Sequence, residues 1–248
     1  MELLQKVRKL IETSSNIVAF TGAGASTESN IPDFRSKDGL YKGNGKKYKY
    51  PPEYMLSHTF FIQHPDLFYD YYKSNMIYRD AKPNECHFSL AELERQGKLK
   101  AVVTQNIDGL HQAAGSKTVW ELHGSVQRNI CMKCNKKYDL DYIMKSENIV
   151  PHCNECGGII KPDVVLYEEM LDEDVLYQAI SAIQRADIFL VIGTSMVVYP
   201  AAGLIEYYQG NKLILINKTA TIYDSKFDIV INQSAGETLK ILIPRSPR

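Results

Sequence analysis

Three groups of residues in this sequence have types and spacings that can do chemistry. Cys131-x2-Cys134 and Cys153-x2-Cys156, with 18 residues between the pairs, have the spacing of a four-thiolate zinc site. Two disulfides are the other reading; the N-terminal stretch MELLQKVRKLIETSS disfavours it, being amphipathic and mixed in charge rather than an export signal. His152 stands beside Cys153 as a competing ligand, but four thiolates already complete a tetrahedron and leave no open position for water or substrate. The metal is therefore expected to be structural, holding a module too small for a core of its own. Cys86, the fifth cysteine, reads as a small residue on a helix face.

The second group is FTGAGASTESNIPDFR, Phe20 to Arg35, which follows the apolar run Ile17-Val18-Ala19. Gly22 and Gly24 let backbone N–H groups approach a phosphate at a helix start, although a glycine pair after a strand also serves as a plain tight connection. The redox dinucleotide fingerprint needs a third glycine where Thr27 stands, and then a helix where Pro32-Asp33-Phe34-Arg35 follows. Asn30 suits a left-handed turn. An Arg–Asp surface pair would explain Asp33 and Arg35 but not the aromatic Phe34 between them. The third group comprises VVTQNIDGLH and ELHGS. Asn106 and Asp108 can bond a carboxamide or ribose hydroxyls, or simply cap a helix. His123, with a strand before it and Gly124 after it, is the histidine placed for proton transfer or for a structural bond; His58, His64, His87, His111 and His152 read as structural.

These residues need a scaffold. Short apolar runs at Ile17–Thr21, Lys100–Thr104, Ile188–Gly193 and Lys212–Asn217 read as buried parallel strands. Helical patterns at Leu3–Glu12, Glu85–Gln96, Asp172–Arg185 and Pro200–Gln209 alternate with them, which predicts an α/β fold with a parallel sheet covered on both faces. Ligands of such sheets sit beyond the carboxyl ends of the strands, where GAGAS, QNID, GTS and Asn217 fall. Residues 36–83, opening with a Gly-, Lys- and Tyr-rich loop, and 128–161, with the cysteines, break the alternation and read as a smaller inserted domain; 1–35, 84–127 and 162–248 make the sheet domain. Basic and acidic side chains balance at 29 each, so no global field draws the chain to nucleic acid or an anionic membrane. No run approaches a membrane span, and the expected place is the cytoplasm.

Taken in order, GAGAS, IPDFR, TQNID, HG, the two CxxC pairs, KPDVV, GTS and the late Asn217 resemble the sirtuins, NAD-dependent protein deacylases, over nearly the whole chain. The resemblance implies a Rossmann-like NAD domain with an inserted zinc-binding and helical domain, and NAD consumed as a substrate. It implies that Gly22, Ala23, Gly24 and Ser26 cradle the diphosphate, that Gly193, Thr194, Ser195 and Asn217 hold the adenosine ribose, and that Asp33, Phe34 and Arg35 belong to the cofactor loop. Gln105, Asn106, Ile107 and Asp108 form the nicotinamide pocket and its ribose contacts. The acyl oxygen attacks the ribose carbon as nicotinamide leaves, and His123, with Asn106 and Asp108 beside it, is the general base on a ribose hydroxyl. An acetyl-lysine peptide lies extended between Val164, Val165, Leu166 and Tyr167, running on to Glu169, and Met196–Tyr199, with Val165 and Val198 as walls of the lysine tunnel.

Two positions depart from the family: Glu168 stands where a glycine is usual in the Phe-Gly-Glu loop, and Asn30 replaces the glycine before IPDFR. Tyr69-Asp70-Tyr71-Tyr72 lacks the arginine of the Tyr-x-x-Arg pair that grips succinyl-type chains, which predicts a deacetylase, with longer apolar acyl groups or protein ADP-ribosylation as the alternative. A dehydrogenase is disfavoured by the missing glycine, and a zinc-ribbon nucleic-acid binder by net neutrality.

Overall fold

The computed structural model describes residues 2–34 and 48–244. Arg35 and most of the Gly/Lys/Tyr-rich loop lie outside them. In chain order the elements are α1 (Glu2–Thr13), β1 (Ile17–Thr21), α2 (Pro52–Met55), α3 (His58–Gln63), α4 (Pro65–Asn75), α5 (Glu85–Arg95), β2 (Leu99–Thr104), α6 (Leu110–Ala114) and β3 (Val119–Glu121). There follow β4 (Gly124–Cys131), β5 (Lys137–Asp139), α7 (Leu140–Lys145), β6 (Ile160–Val164), α8 (Glu173–Arg185), β7 (Ile188–Ile192), β8 (Leu213–Ile216), β9 (Ile229–Ile231) and α9 (Ala235–Leu242).

Six parallel strands form the main sheet in the order β3-β2-β1-β7-β8-β9. Side chains alternate across it. Ile17, Ala19, Leu190 and Ile214 pack with α1, α5 and α9 on one face, while Val18, Phe20, Phe189 and Leu215 pack with α8 and a 3-10 segment on the other. Burial on both faces is why β1, β7 and β8 are almost wholly apolar runs. The expected strand end at Gly193 moves back to Ile192, because Gly193 turns into the left-handed region at φ 61. The helix expected over Pro200–Gln209 is instead wound as a 3-10 segment, Ala201–Tyr207; beyond it the Tyr208 hydroxyl donates to the Asp187 carbonyl and accepts the Lys212 N–H, fastening the chain to the sheet.

A second, three-stranded antiparallel sheet, β5-β4-β6, carries the cysteines. Its core is shared with α2–α4: Phe60, Phe61, Phe68, Tyr69 and Tyr72 pack with Ile143 and Ile160. Phe61 and Phe68 meet edge to face with centroids 4.9 Å apart, while Phe68 and Tyr72 stack at 5.6 Å. Ser57, which accepts the Phe60 N–H, starts α3. No helix among the described residues is long and apolar enough to cross a membrane.

Candidate active site

Chain order reverses between β1 and β7, so the loops leaving their C-terminal ends diverge and open a crevice. GAGAS follows β1 and GTS follows β7. A β-carbon on Gly24 would stand 2.7 Å from the Gly193 Cα, and one on Gly193 would stand 2.3 Å from the Ala25 nitrogen. The two turns therefore touch backbone to backbone. Gly24 donates its N–H to the Gly193 carbonyl at 2.8 Å and Gly22 to the Ile192 carbonyl at 3.0 Å. Ala25 and Ser26 also turn their N–H groups inward, to Gly22 and Ala23. The glycines are thus required first by loop packing, and Ala23 opens the short helix Ala23–Ala25. Asn30 adopts the left-handed conformation expected of it, φ 61.

The Ser26 side chain is buried, and its hydroxyl works inside the protein. It donates to Asp108 Oδ2 at 2.7 Å and accepts from Asn106 Nδ2 at 3.1 Å. Asn106 also donates to the Gly22 carbonyl at 3.1 Å, tying the QNID segment to the turn. Asp108 does both things its type allowed: Oδ1 accepts the Leu110 N–H that opens α6, and the residue also lines the cavity. Burial raises its pKa against the opposing pull of the Leu110 and Ser26 bonds. Gln105 donates its side-chain amide to Thr194 at 3.1 Å, bridging the loops after β2 and β7.

His123 lies between β3 and β4, with its Nδ1 donating to the Gln105 carbonyl at 2.9 Å. That bond places the ring proton on Nδ1 and leaves Nε2 bare, the form a general base needs. Burial lowers the pKa of His123, with the Gln105 bond pulling it back up, so the neutral ring is favoured. The glycine after it has a steric cause: Gly124 sits at φ 72, and a β-carbon there would fall 2.0 Å from the Asp163 carbonyl oxygen. Close passage of β4 and β6 lets the His123 carbonyl accept the Val165 N–H at 3.0 Å.

Val164–Tyr167 continues β6 along the cavity. On its outer side it is zipped to the start of α3, Tyr167 N–H to the Leu56 carbonyl and His58 N–H to the Tyr167 carbonyl, each at 3.0 Å. Glu168 then adopts φ 76, which explains why a glycine would be favoured there; its carboxylate accepts the Thr59 N–H at 2.9 Å and holds the turn in place. Glu169 is engaged by His58 at 2.8 Å, Lys161 at 3.0 Å and the Leu166 N–H at 2.9 Å.

One cavity of about 1090 Å³ is lined by the nucleotide and peptide residues named from the sequence, except Met196 and Val197, which do not reach it, and Arg35, which lies outside the described residues. Gly22, Ala23, Gly24, Asp33, Phe34, Ile107, Gly193, Ser195 and Asn217 meet there with His123, Val164, Val165, Leu166, Tyr167 and Val198. Of the Met196–Tyr199 segment, Val198 and Tyr199 reach the cavity, whereas Met196 is buried in the sheet core. Sequence reasoning missed Ile31 and Leu56, Thr219, and the end of α4 with the residues after it, Asn75–Arg79; these are ordinary residue types brought in by long-range packing.

The four cysteines stand apart from this cavity. Their sulfurs lie within 4.8 Å of one another, with Cys131–Cys156 at 3.4 Å and Cys134–Cys153 at 3.6 Å. Neither is a disulfide distance. A tetrahedron with Zn–S bonds of about 2.3 Å has edges of about 3.8 Å, so the set fits zinc. Lys133 and Glu155 N–H groups and the Tyr138 hydroxyl donate to the sulfurs, as thiolate ligands require; His152 is not in the cluster.

The sequence profile of the Sir2 family matches residues 22–200. Proteins named NAD-dependent protein deacetylase from Clostridium acetobutylicum and Clostridium tetani are each 59% identical, the first over 98% of this chain and 99% of its own length, the second over 96% of each. A solved Sir2 structure with deacetylated p53 peptide and 3'-O-acetyl ADP ribose superposes with a TM-score of 0.88 at 39% identity, covering 96% of both chains. A Sir2–p53 peptide–NAD+ structure gives 0.84 at 39%, covering 96% of this chain and 95% of that one. The matched stretch holds both CxxC pairs and all the predicted cavity residues except Asn217, and the chain belongs to the Sir2 family, the sirtuins.

Proposed function

We propose that this protein is an NAD-dependent protein-lysine deacetylase, moving the acetyl group from a lysine side chain to ADP-ribose with release of nicotinamide. The observation that carries this reading is the single cavity, in which the dinucleotide turns, the bare Nε2 side of His123 and an extended peptide edge meet. Its size, about 1090 Å³, suits a dinucleotide together with an acyl-lysine side chain.

In this reading Ala23, with the GAGAS and GTS turns around it, holds the diphosphate, and Ser195 and Asn217 the adenosine ribose. Phe34, with Asp33 beside it, covers the nicotinamide end; Arg35, assigned to the same cofactor loop, lies outside the described residues. Asn106 and Asp108, locked through Ser26, orient the nicotinamide ribose. Val164–Tyr167 and Val198 guide the acyl-lysine. NAD supplies the electrophilic ribose carbon and the hydroxyl that receives the acetyl group. His123 Nε2 takes the proton from that hydroxyl, while the Nδ1–H bond to Gln105 keeps the ring in the required tautomer. Water completes the balance, giving free lysine, nicotinamide and O-acetyl-ADP-ribose.

The zinc is structural, since its four sulfurs leave no open position. We divide the chain into an NAD domain, residues 1–35, 84–127 and 162–248, and a small domain, 36–83 and 128–161; the aromatic core common to α2–α4 and the cysteine sheet supports the pairing of the two insertions. Five cysteines, none in a disulfide, suit the cytoplasm, where we place the protein.

Mass spectrometry of an acetyl-lysine peptide, with and without NAD and beside His123→Ala, tests the proposal. Deacetylation that needs NAD, yields matching O-acetyl-ADP-ribose and falls about 10²- to 10⁴-fold in the variant is expected. An acetylated peptide left untouched while NAD is consumed would redirect the assignment to other acyl groups or to ADP-ribosyl transfer.

A further inference from the structure

Two histidines that the mechanism leaves unused lie fully buried beneath the GAGAS turn. His87, on α5, and His111, on α6, meet edge to face with ring centroids 4.8 Å apart. We propose that they are positioning residues that fix the direction of the hydrogen bonds under the nucleotide site, so that the Ser26 proton goes to Asp108 and the Asn106 backbone is held by Thr104. The inference rests on the reading of Ser26, Asn106 and Asp108 as parts of the NAD site.

His87 Nδ1 accepts the Asn84 N–H at 3.2 Å and so carries no proton; a neutral ring then holds its proton on Nε2, which faces Ser26 Oγ at 3.4 Å. Ser26 Oγ also accepts from Asn106 Nδ2 at 3.1 Å. With both lone pairs taken, its own proton has one destination, Asp108 Oδ2 at 2.7 Å. Asp108 is thereby kept an acceptor, the form that orients a ribose hydroxyl. A protonated His87 would set a ring N–H against the Asn84 N–H; burial opposes this, lowering its pKa to about 4.

His111 does the same one layer down. Its Nε2 meets Thr21 Oγ1 at 2.9 Å, and Thr21 donates to Thr104 Oγ1 at 2.8 Å. Thr104 Oγ1 in turn accepts the Asn106 N–H at 3.0 Å. When His111 donates from Nε2, Thr21 is left to donate onward to Thr104, and the His111 Nδ1 is bare. That Nδ1 is buried and finds no partner among the described residues. An apolar ring would fill the same space without stranding a nitrogen, so the polarity of His111 serves the Thr21 bond.

A double-mutant cycle tests this on the full-length enzyme, loaded with zinc. His87→Phe, Ser26→Ala and the double variant are compared for kcat and for the KM values of NAD and acetyl peptide. His87→Phe should lower kcat/KM for NAD about tenfold, the scale of one hydrogen bond, with the peptide KM unchanged. In the Ser26→Ala background the same substitution should cost less than about twofold, because the group it acts through is gone. His87→Gln, which keeps a donor, should restore most of the loss. If His87→Phe does not fold, the same cycle with His87→Gln against His87→Leu decides. Equal losses in both backgrounds, or a parallel rise in the peptide KM, would overturn the positioning role and leave a merely structural one. Wild-type enzyme that leaves both acetyl peptide and NAD untouched would overturn the deacetylase reading itself, a different failure.

Discussion

Acid should destabilise this protein in a pH window set by its buried histidines. His87 is fully buried, and burial lowers its pKa to about 4; His111 is pushed well below the ordinary value by burial and then by the neighbouring His87. In the unfolded chain both titrate near 6.5. Above that value neither state holds the extra proton, and the histidines add no pH dependence. Below it the unfolded chain takes up a proton that the folded one refuses, so stability falls as pH falls, and for His87 the fall levels off near pH 4. One full proton of difference is worth about 1.4 kcal/mol per pH unit, so two units below the unfolded titration point cost about 2.5 kcal/mol for His87 alone. Asp108, which burial raises, works in the opposite sense, since its folded form takes up a proton at higher pH than the unfolded chain does; comparing wild type with a His87 variant that keeps Asp108 isolates the histidine. Glu169 and Asp187, which burial would raise, are held low, the first by His58, Leu166 and Lys161 and the second by Ser14 and the Ser15 and Asn16 N–H groups, and they lose their contributions only below the unfolded carboxylate range, about 3.9 to 4.3. Urea unfolding of wild type and His87→Phe at pH 7, 6 and 5, with zinc in excess, measures the effect. The variant should show a stability slope shallower by about one proton between pH 6 and 5. Parallel slopes would refute the reasoning, whatever the offset between the curves.

Chelation of the metal should abolish activity together with the folded signature of the β4–β6 sheet, and activity lost from an intact module would contradict a structural zinc. Gly124→Ala should destabilise by at least about 2 kcal/mol or prevent folding, since a β-carbon at φ 72 is strained and meets the Asp163 carbonyl; a urea measurement within about 0.5 kcal/mol of wild type would contradict this. The acid limb of kcat/KM should lie below the ordinary histidine value of about 6.5, because burial keeps His123 neutral to lower pH, and a limb above 7 would assign proton transfer elsewhere. Acetyl should be removed faster than succinyl from the same peptide, because Tyr69–Tyr72 offers no arginine for a distal carboxylate, and the reverse order in a competition assay would refute that.

The parts of this site that a reader of the sequence can find are those where chemistry or sterics restricts the residue type. Gly22, Gly24, Gly193 and Gly124 have no alternative at their backbone approaches, and the cysteines have none as zinc ligands. Strands β1, β2, β7 and β8 are legible because burial on both faces demands an apolar run. Strand β9 is only Ile229–Ile231, too short for a pattern, and α9 begins at Ala235 after few local cues. In α4 the run Phe68–Tyr72 is buried at Phe68, Tyr69, Tyr71 and Tyr72, which blurs the one-sided helical period. The pairing of Leu56–His58 with Tyr167 joins segments about 110 residues apart and leaves no local trace. His87 and His111 look like ordinary helical histidines until β1 and the turn after it bring Thr21 and Ser26 to them.

The contact of Gly22 and Gly24 with Gly193 joins two turns that a ribosome makes far apart in time. At about 5 to 20 residues per second, the GAGAS turn emerges many seconds before GTS does, and Asn217 later still. Until then the first turn has nothing to lean on, and the nascent chain holds only half of a nucleotide seat. A product terminated before β7 therefore has no nucleotide site to sequester the cell's NAD, whereas the finished chain gains the ligand's stabilising hold at the last stage of its synthesis.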